Sequence, residues 1–318
     1  MANRLRLRSF AKINLDLRVL NKRPDGYHDL RTIFQTISLA DTIDVEYQPG
    51  RSRIELKSNF NISDNIIVHA ADSVMHSIRR TGRLGFVLQK RVPLGGGLGG
   101  GSSNAAAVLL ALPLLLGKPL PMEKLMELAA GLGSDVPFFL LGGTAIGLGR
   151  GTELYPLPDL PSSPAMLIAP GIHVSTKDAY AQLRRELATG SPVPTVDSFQ
   201  AVAWRIANGS PIEDWGAVND FETVVFRLHP QLKSIKGKLL RLGARLALMS
   251  GSGSSLFGIF PSRELRDRAV RSFRKDFAKD KVYSITMISR RRYRALWRRQ
   301  LAAPMDSNIW PPQDRYAE

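Results

Sequence analysis

Along the first twenty residues apolar and polar positions alternate. From residue 5 to 19 the odd positions read Leu, Leu, Ser, Ala, Ile, Leu, Leu, Val, and the even ones are mostly polar. A period of two predicts a strand and puts Lys12, Asn14 and Asp16 on the face opposite the core. After Asp64 and Asn65 the spacing changes: Ile66, Ile67, Ala70, Ala71, Val74 and Ile78 predict a helix, with Asp64 as its N-cap. Residues 84–92 read as a strand and 104–116 as a helix. Leu125, Leu128, Ala129 and Leu132 mark another helix closed by Gly133, and 144–149 with 153–157 form a hairpin about Arg150-Gly151.

Beyond a Pro/Ser-rich stretch at 156–164 come a strand at 165–169, helices near 177–187 and 221–228, and a strand–loop–strand across 246–260. A helix near 263–277 and a strand at 282–288 follow. Strands and helices mix without regular βαβ alternation, which argues for an α+β fold. The expected units are 1–158, 159–289 and an appended basic extension, 290–318, whose removal should leave turnover unchanged.

Composition narrows the class. With 318 residues, 44% hydrophobic and 23% charged, the chain reads as an ordinary globular protein of one large or two modest domains. It has no Cys, which excludes disulfides, thiolate metal sites and cysteine nucleophiles and fits a reducing cytoplasm. The charged N-terminus has no apolar stretch behind it, and the longest apolar run, 105–116, contains Pro113 and is short for a membrane span. A cytoplasmic protein with no membrane partner is expected. The net charge of +16 is concentrated late: residues 263–281 hold eight basic against four acidic residues, and six arginines crowd into 290–299.

The chemistry starts at Pro93-Leu94-Gly95-Gly96-Gly97-Leu98-Gly99-Gly100-Gly101-Ser102-Ser103-Asn104, with six glycines in seven positions ahead of a helix. Such a loop lets backbone approach a ligand closely, and the helix N-terminus offers unpaired N–H groups and a positive dipole end to an anion. A phosphate is the natural guest; a plain flexible linker is the bland alternative. The loop is not a Walker motif, since no lysine lies between Lys90 and Lys118. Its match to the dinucleotide fingerprint is weak, because Pro93 interrupts the strand and Glu123 sits in a helical segment.

Other short segments carry chemistry-bearing residues. Gly131, Gly133 and Ser134 place Asp135 in a turn, and Pro137 suits the first position of a short helix, so Asp135 is either its cap or an acid–base group. Lys12 beside Asn14 is either a surface lysine or half of a polar site, with Asn14 suited to a polyol. Tyr27 and His28 follow the turn Pro24-Asp25-Gly26 and offer a stacking face and directional hydrogen bonds, or are ordinary surface. His69, His76, His173 and His229 form no metal-like cluster and receive no role.

The glycine loop resembles the nucleotide-binding motif of the GHMP kinase family, Pro-x-x-x-Gly-Leu-Gly-Ser-Ser-x-Ala, with extra glycines. Ser9-Phe10-Ala11-Lys12-Ile13-Asn14-Leu15-Asp16-Leu17 precedes it and Met249-Ser250-Gly251-Ser252-Gly253-Ser254-Ser255-Leu256-Phe257 follows, in that family's order. The resemblance runs from about residue 8 to about 260. It implies a two-domain α+β fold with the active site in the cleft between domains, and ATP with Mg²⁺ as the phosphoryl source. It makes Pro93, Gly95, Gly96, Gly97, Leu98, Gly99, Gly100, Gly101, Ser102 and Ser103 the phosphate cradle, with Asn65 near the adenine. It makes Asp135 the base and Lys12 its partner near the transferring phosphoryl.

Arg23-Pro24-Asp25-Gly26-Tyr27-His28-Asp29-Leu30 and Gly133-Ser134-Asp135-Val136-Pro137-Phe138-Phe139 resemble the branch that acts on a cytidylyl methylerythritol. That assigns Tyr27, His28, Thr176 and Tyr180 to the cytosine; Asn14 joins the substrate site, and Gly251, Ser252 and Gly253 close over it from the second domain. No carboxylate pair stands out as the metal site. The rivals are another small-molecule kinase of this fold, acting on mevalonate, homoserine or a sugar, and a nucleic-acid binder using the arginine-rich end. Tyr293, Leu296, Trp297 and Leu301 fall at helical spacing, which favours a helix docked on its own domain over nucleic-acid binding.

Overall fold

The alternating N-terminal segment forms β1 (Asn3–Lys22), antiparallel to β2 (His28–Gln48) over most of its length. The computed structural model describes residues 3–24, 28–60, 64–188, 196–277, 280–302 and 310–311. Next come β3 (Arg53–Ser58), α1 (Ile66–Ser77), β4 (Arg83–Gln89), α2 (Gly100–Leu115), α3 (Met122–Leu132), α4 (Val136–Leu141), β5 (Thr144–Gly149) and β6 (Glu153–Pro156). The six strands make one sheet, in which β2 pairs with β4 through Thr42–Gln48 and with β5 through Leu30–Gln35. The second part runs through β7 (Pro164–Ala169), α5 (Thr176–Ala188), α6 (Val196–Ala207), α7 (Phe221–Leu228), α8 (Pro230–Arg241), β8 (Leu246–Met249), β9 (Leu256–Ile259), α9 (Arg263–Asp276), β10 (Lys281–Thr286) and α10 (Arg290–Leu301). Its four strands lie in the order β10-β7-β9-β8. The expected α+β mixture of helices and sheets is present.

Three apolar clusters hold these layers. One lies between the first sheet and its helices and includes Leu7, Phe86, Val74, Leu109 and Phe138; a second packs Met166, Leu232, Leu239 and Phe273 beneath the second sheet. The third joins the two sheets, with Ile13, Ile33 and Leu98 meeting Leu167, Phe257 and Ile285. Apolar burial on this scale is the main driving force for association of the layers.

Several local expectations are revised. The in–out alternation of β1 ends at Ser9; residues 9 to 19 are all buried because both faces are covered. Register shifts between Phe10 and Lys12 and between Asn14 and Asp16 change the phase, so Asp16 does not share a face with Lys12 and Asn14. Asn65, not Asp64, caps α1, its side chain accepting from the Ile67 amide at 3.0 Å. The helix after the glycine loop starts at Gly100, four residues early, because Gly99 takes a left-handed conformation with φ 64° at its N-cap. That helix is apolar all round and correspondingly buried. The helices α6 and α8 were not foreseen.

The arginine-rich end is not a loose appendage. Tyr293, Trp297 and Leu301 of α10 are buried in the first cluster, beside Phe138 and Leu140 of the first unit. With 1% of its surface exposed, Trp297 has no face to offer a base.

A buried polar cluster pins β1 to the segment before α7. Asp16 accepts from Arg18 at 3.0 Å and from the Val218 amide at 2.7 Å, while Asp220 accepts from the Val19 amide at 2.9 Å. Burial pushes Asp220 up to about 6; the Val19 amide and Arg18 oppose this, and Asp16 adds to it. The native state therefore holds a proton on Asp220 more tightly than the unfolded chain does. This contribution to stability is complete below about pH 4 and is lost as pH rises through 6. Asp220→Asn keeps an acceptor for Val19 and cannot ionise. In urea titrations its stability relative to the parent should rise between pH 4 and 7, by at most roughly 1.4 kcal/mol per pH unit. A difference independent of pH would contradict the assignment.

Candidate active site

The central stretch of β1 carries the site. The Lys12 ammonium donates to Asn14 Oδ1 at 2.7 Å and lies 3.5 Å from Asp135 Oδ2. Lys12 is 3% exposed, so it is no surface lysine. Its backbone amide donates to Leu98 O at 3.0 Å, which fastens the glycine loop to the strand. Asn14 Oδ1 also accepts from the Gly251 amide at 2.9 Å, and Asn14 Nδ2 donates to Thr32 Oγ1 at 2.7 Å.

Asp135 occupies the N-cap position of α4, yet its side chain makes no capping hydrogen bond. It faces Lys12 instead, and its carboxylate is one-third exposed. Of the two sequence alternatives, capping is therefore not what its side chain does.

The glycine loop is packed too closely for side chains. A β-carbon on Gly97, at φ 72°, would stand 2.0 Å from Ser250 O, and one on Gly99 would stand 2.8 Å from the Phe139 ring. The loop's approach is fixed from behind: Asp41 accepts from the Arg91 and Val92 amides, each at 2.7 Å, and from the Lys90 ammonium at 2.5 Å. The buried Asp41 carboxylate thus accepts three hydrogen bonds, one of them from its ion-pair partner, and such satisfaction makes burying charge tolerable. Ser103 turns away from the loop's mouth and donates to Phe10 O at 2.7 Å; Ser102 is half-buried and Gly101 exposed at the helix start.

The second unit contributes the opposite wall. Ser250 Oγ donates to Gly97 O at 2.9 Å, and Asn219 Nδ2 donates to Met249 O and Gly251 O at 2.7 and 2.8 Å. Ser252 Oγ and Thr176 Oγ1 lie 2.8 Å apart. Tyr180, on α5, stacks on His28 with centroids 4.9 Å apart and meets Phe221 edge-on. Burial, with the Asp135 charge adding to it, pushes the Tyr180 phenol up to about 12, so it stays a donor at neutral pH. The His28 ring already covers one face of Tyr180; a base stacking there requires the imidazole to move. Tyr27 lies outside the described residues.

Most of these groups line one cavity of about 510 Å³, including Lys12, Asn14, Gly95, Gly97, Gly99, Asp135, Thr176, Tyr180, Gly251 and Ser252. Wall residues given no site role from the sequence include Thr32, Phe34, Arg150 and His173. Thr32 and Phe34 were foreseeable once β2 was paired to β1, since alternate residues share a face. A neighbouring cavity of about 380 Å³ lies across the loop, lined by Phe60, Lys90, Pro93, Leu94, Gly96 and Ser255 among others. Asn65 lines neither, and its side-chain oxygen serves α1 as the cap. Among the described residues, no group of three or more His, Asp or Glu side chains is placed to hold a metal, and no helix is long and apolar enough to cross a membrane.

Known proteins resemble this chain in sequence and fold. Residues 65–143 match the profile of the GHMP kinases N terminal domain, and residues 208–279 that of the GHMP kinases C terminal domain. The 4-diphosphocytidyl-2-C-methyl-D-erythritol kinase of Solibacter usitatus (strain Ellin6076) is 53% identical over 311 residues, covering 98% of this chain and 97% of that protein. The enzyme of the same name from Thermus thermophilus is 40% identical over 266 residues, 83% of this chain and 90% of its own. A crystal structure of 4-(cytidine 5'-diphospho)-2C-methyl-D-erythritol kinase superposes with a TM-score of 0.75 at 38% identity, covering 89% of this chain and 99% of that one. Homoserine kinase from Cytophaga hutchinsonii, at 18% identity and a TM-score of 0.66, shares the fold. On these matches and this geometry, the chain is a member of the GHMP kinase family.

Proposed function

We infer that this protein is an ATP-dependent kinase that phosphorylates the 2-hydroxyl of 4-diphosphocytidyl-2-C-methyl-D-erythritol. The observation that carries the reading is the cavity in which the glycine loop, the Lys12–Asp135 pair and Tyr180 meet. The acceptor is taken from the relative whose match runs almost the whole length of this chain.

Phosphoryl transfer needs a phosphate cradle, cations on the developing charge and a group that takes the hydroxyl proton. In this reading the backbone N–H groups at the start of α2 bind ATP phosphates, with the helix dipole assisting. The Lys12 ammonium sits against the transferring phosphoryl and stabilises the charge that develops there. Asp135 accepts the proton of the acceptor hydroxyl. Asn14 orients the polyol, and the Gly251, Ser252 and Gly253 turn closes from the opposite side. Mg²⁺ bound with the nucleotide would supply charge neutralisation to the phosphates. Asp135 is the one carboxylate on the described cavity wall, so this donor set suits a metal held mainly by phosphate oxygens and water. Tyr27, His28 and Tyr180 recognise the cytosine, by stacking and by hydrogen bonds to its edge.

Asp135→Asn retains size and polarity but removes the base. Turnover in a coupled ATPase assay should fall about 10²–10⁴-fold with ATP affinity little changed; near-parental turnover in the folded variant would remove Asp135 from the mechanism. Acceptor choice should reside in Tyr27, His28 and Tyr180. Tyr27→Ala should weaken the cytidylyl acceptor about 5- to 150-fold, the equivalent of losing about 1–3 kcal/mol of stacking. His28→Ala should cost as much or more. Michaelis constants for both substrates decide this: a rise for ATP alone would assign these rings to the other nucleotide.

A further inference from the structure

The C-terminal helix touches the one short helix that carries Asp135. Of the carbonyls in the last turn of a helix, four lack an intrahelical donor and need one from elsewhere. In α4, Phe138 O receives the Gly142 amide at 2.8 Å. The next two are served from the chain terminus: Tyr293 Oη donates to Phe139 O at 2.5 Å and Trp310 Nε1 donates to Leu140 O at 2.8 Å. The contact is closely fitted. A β-carbon on Gly142 would stand 2.2 Å from the Tyr293 ring, and one on Gly143 would stand 2.6 Å from Arg290 Cβ. Arg290 also donates to Leu157 O at 3.1 Å, and Asp159 accepts from the Arg291 amide at 3.1 Å. Burial holds the Tyr293 phenol far above its usual range, so its oxygen stays a donor.

We propose that α10 and Trp310 brace α4 from its C-terminal end, and that Tyr293 is a positioning residue fixing Asp135 against Lys12. The inference rests on the reading of Asp135 as the base. A helix of six residues is too short to hold its own orientation by internal hydrogen bonds. It is located by its packing and by the groups at its two ends. One end carries Asp135, 3.5 Å from Lys12; the other is tied to residues more than 150 positions later in the chain. Loss of the second tie lets α4 tilt, and the carboxylate moves relative to the acceptor hydroxyl. Small misplacements of a reacting group are costly in rate. The tail is therefore part of the catalytic support, contrary to the expectation that its removal leaves turnover unchanged.

A double-mutant cycle tests this. Tyr293→Phe keeps the ring in its place and removes only the donor. On the parental background kcat should fall about 3- to 10-fold with the Michaelis constant for ATP unchanged, and Trp310→Phe should act in the same direction. On the Asp135→Asn background Tyr293→Phe should produce no further loss, because its effect passes through the carboxylate. An equal loss on both backgrounds, or parental kcat in Tyr293→Phe, would overturn the brace while leaving Asp135 as the base. Full activity of Asp135→Asn alone would instead overturn the base reading, so the two failures are told apart.

Discussion

Asn14 Oδ1 accepts from the Lys12 ammonium at 2.7 Å and from the Gly251 amide at 2.9 Å, and the site depends on this shared acceptor. One side chain aims the only lysine on the described cavity wall and ties the strand of the first unit to the turn of the second. Lys12 is almost wholly buried, so its charge is tolerable only with partners. Asn14 and Asp135 provide them, one neutral and one ionisable. The ammonium lies 3.5 Å from the proposed base, where the proposed mechanism calls for a cation.

The closeness of the two units follows from missing side chains as much as from those present. Gly97 packs on the Ser250 carbonyl and Gly251 on the Gly97 backbone, with a virtual β-carbon on Gly251 3.1 Å from Gly97 Cα. Two glycine turns from opposite units thus meet backbone to backbone, and any larger residue would wedge the cleft open. Asp41 and Lys90 anchor the first turn and Asn219 anchors the second. The apolar cluster between the sheets supplies the bulk attraction, while these polar groups set the register at which the turns meet.

Much of this was legible in the sequence, for reasons that differ by element. The strand β1, the turn before α4 and the two glycine turns announce themselves by local rules: period two, Gly-Ser-Asp before Pro, and dense glycine. Their chemistry became specific through family motifs standing in the right order. What local rules could not supply was phase and partnership. The register shift between Asn14 and Asp16 turns Leu17, not Asp16, toward the cavity, and a bulge leaves no clear mark in a sequence of alternating residues. Asn65 caps α1 although Asp64 beside it has equal capping propensity. The docking of α10 was expected on its own domain, yet it packs on the first unit, because pattern shows which face is apolar and not what covers it. Arg150 and His173 carry no local signal at all; only the folded chain brings them to the wall.

The most direct test is an acceptor panel. The purified protein with ATP and Mg²⁺ is offered 4-diphosphocytidyl-2-C-methyl-D-erythritol, mevalonate, homoserine and galactose in parallel, and product is followed by ³¹P NMR. The account predicts one new phosphomonoester signal, formed only with the cytidylyl acceptor, with the diphosphate signals of that acceptor retained. Preferential phosphorylation of any of the other three, or no phosphomonoester from the cytidylyl compound, would contradict it.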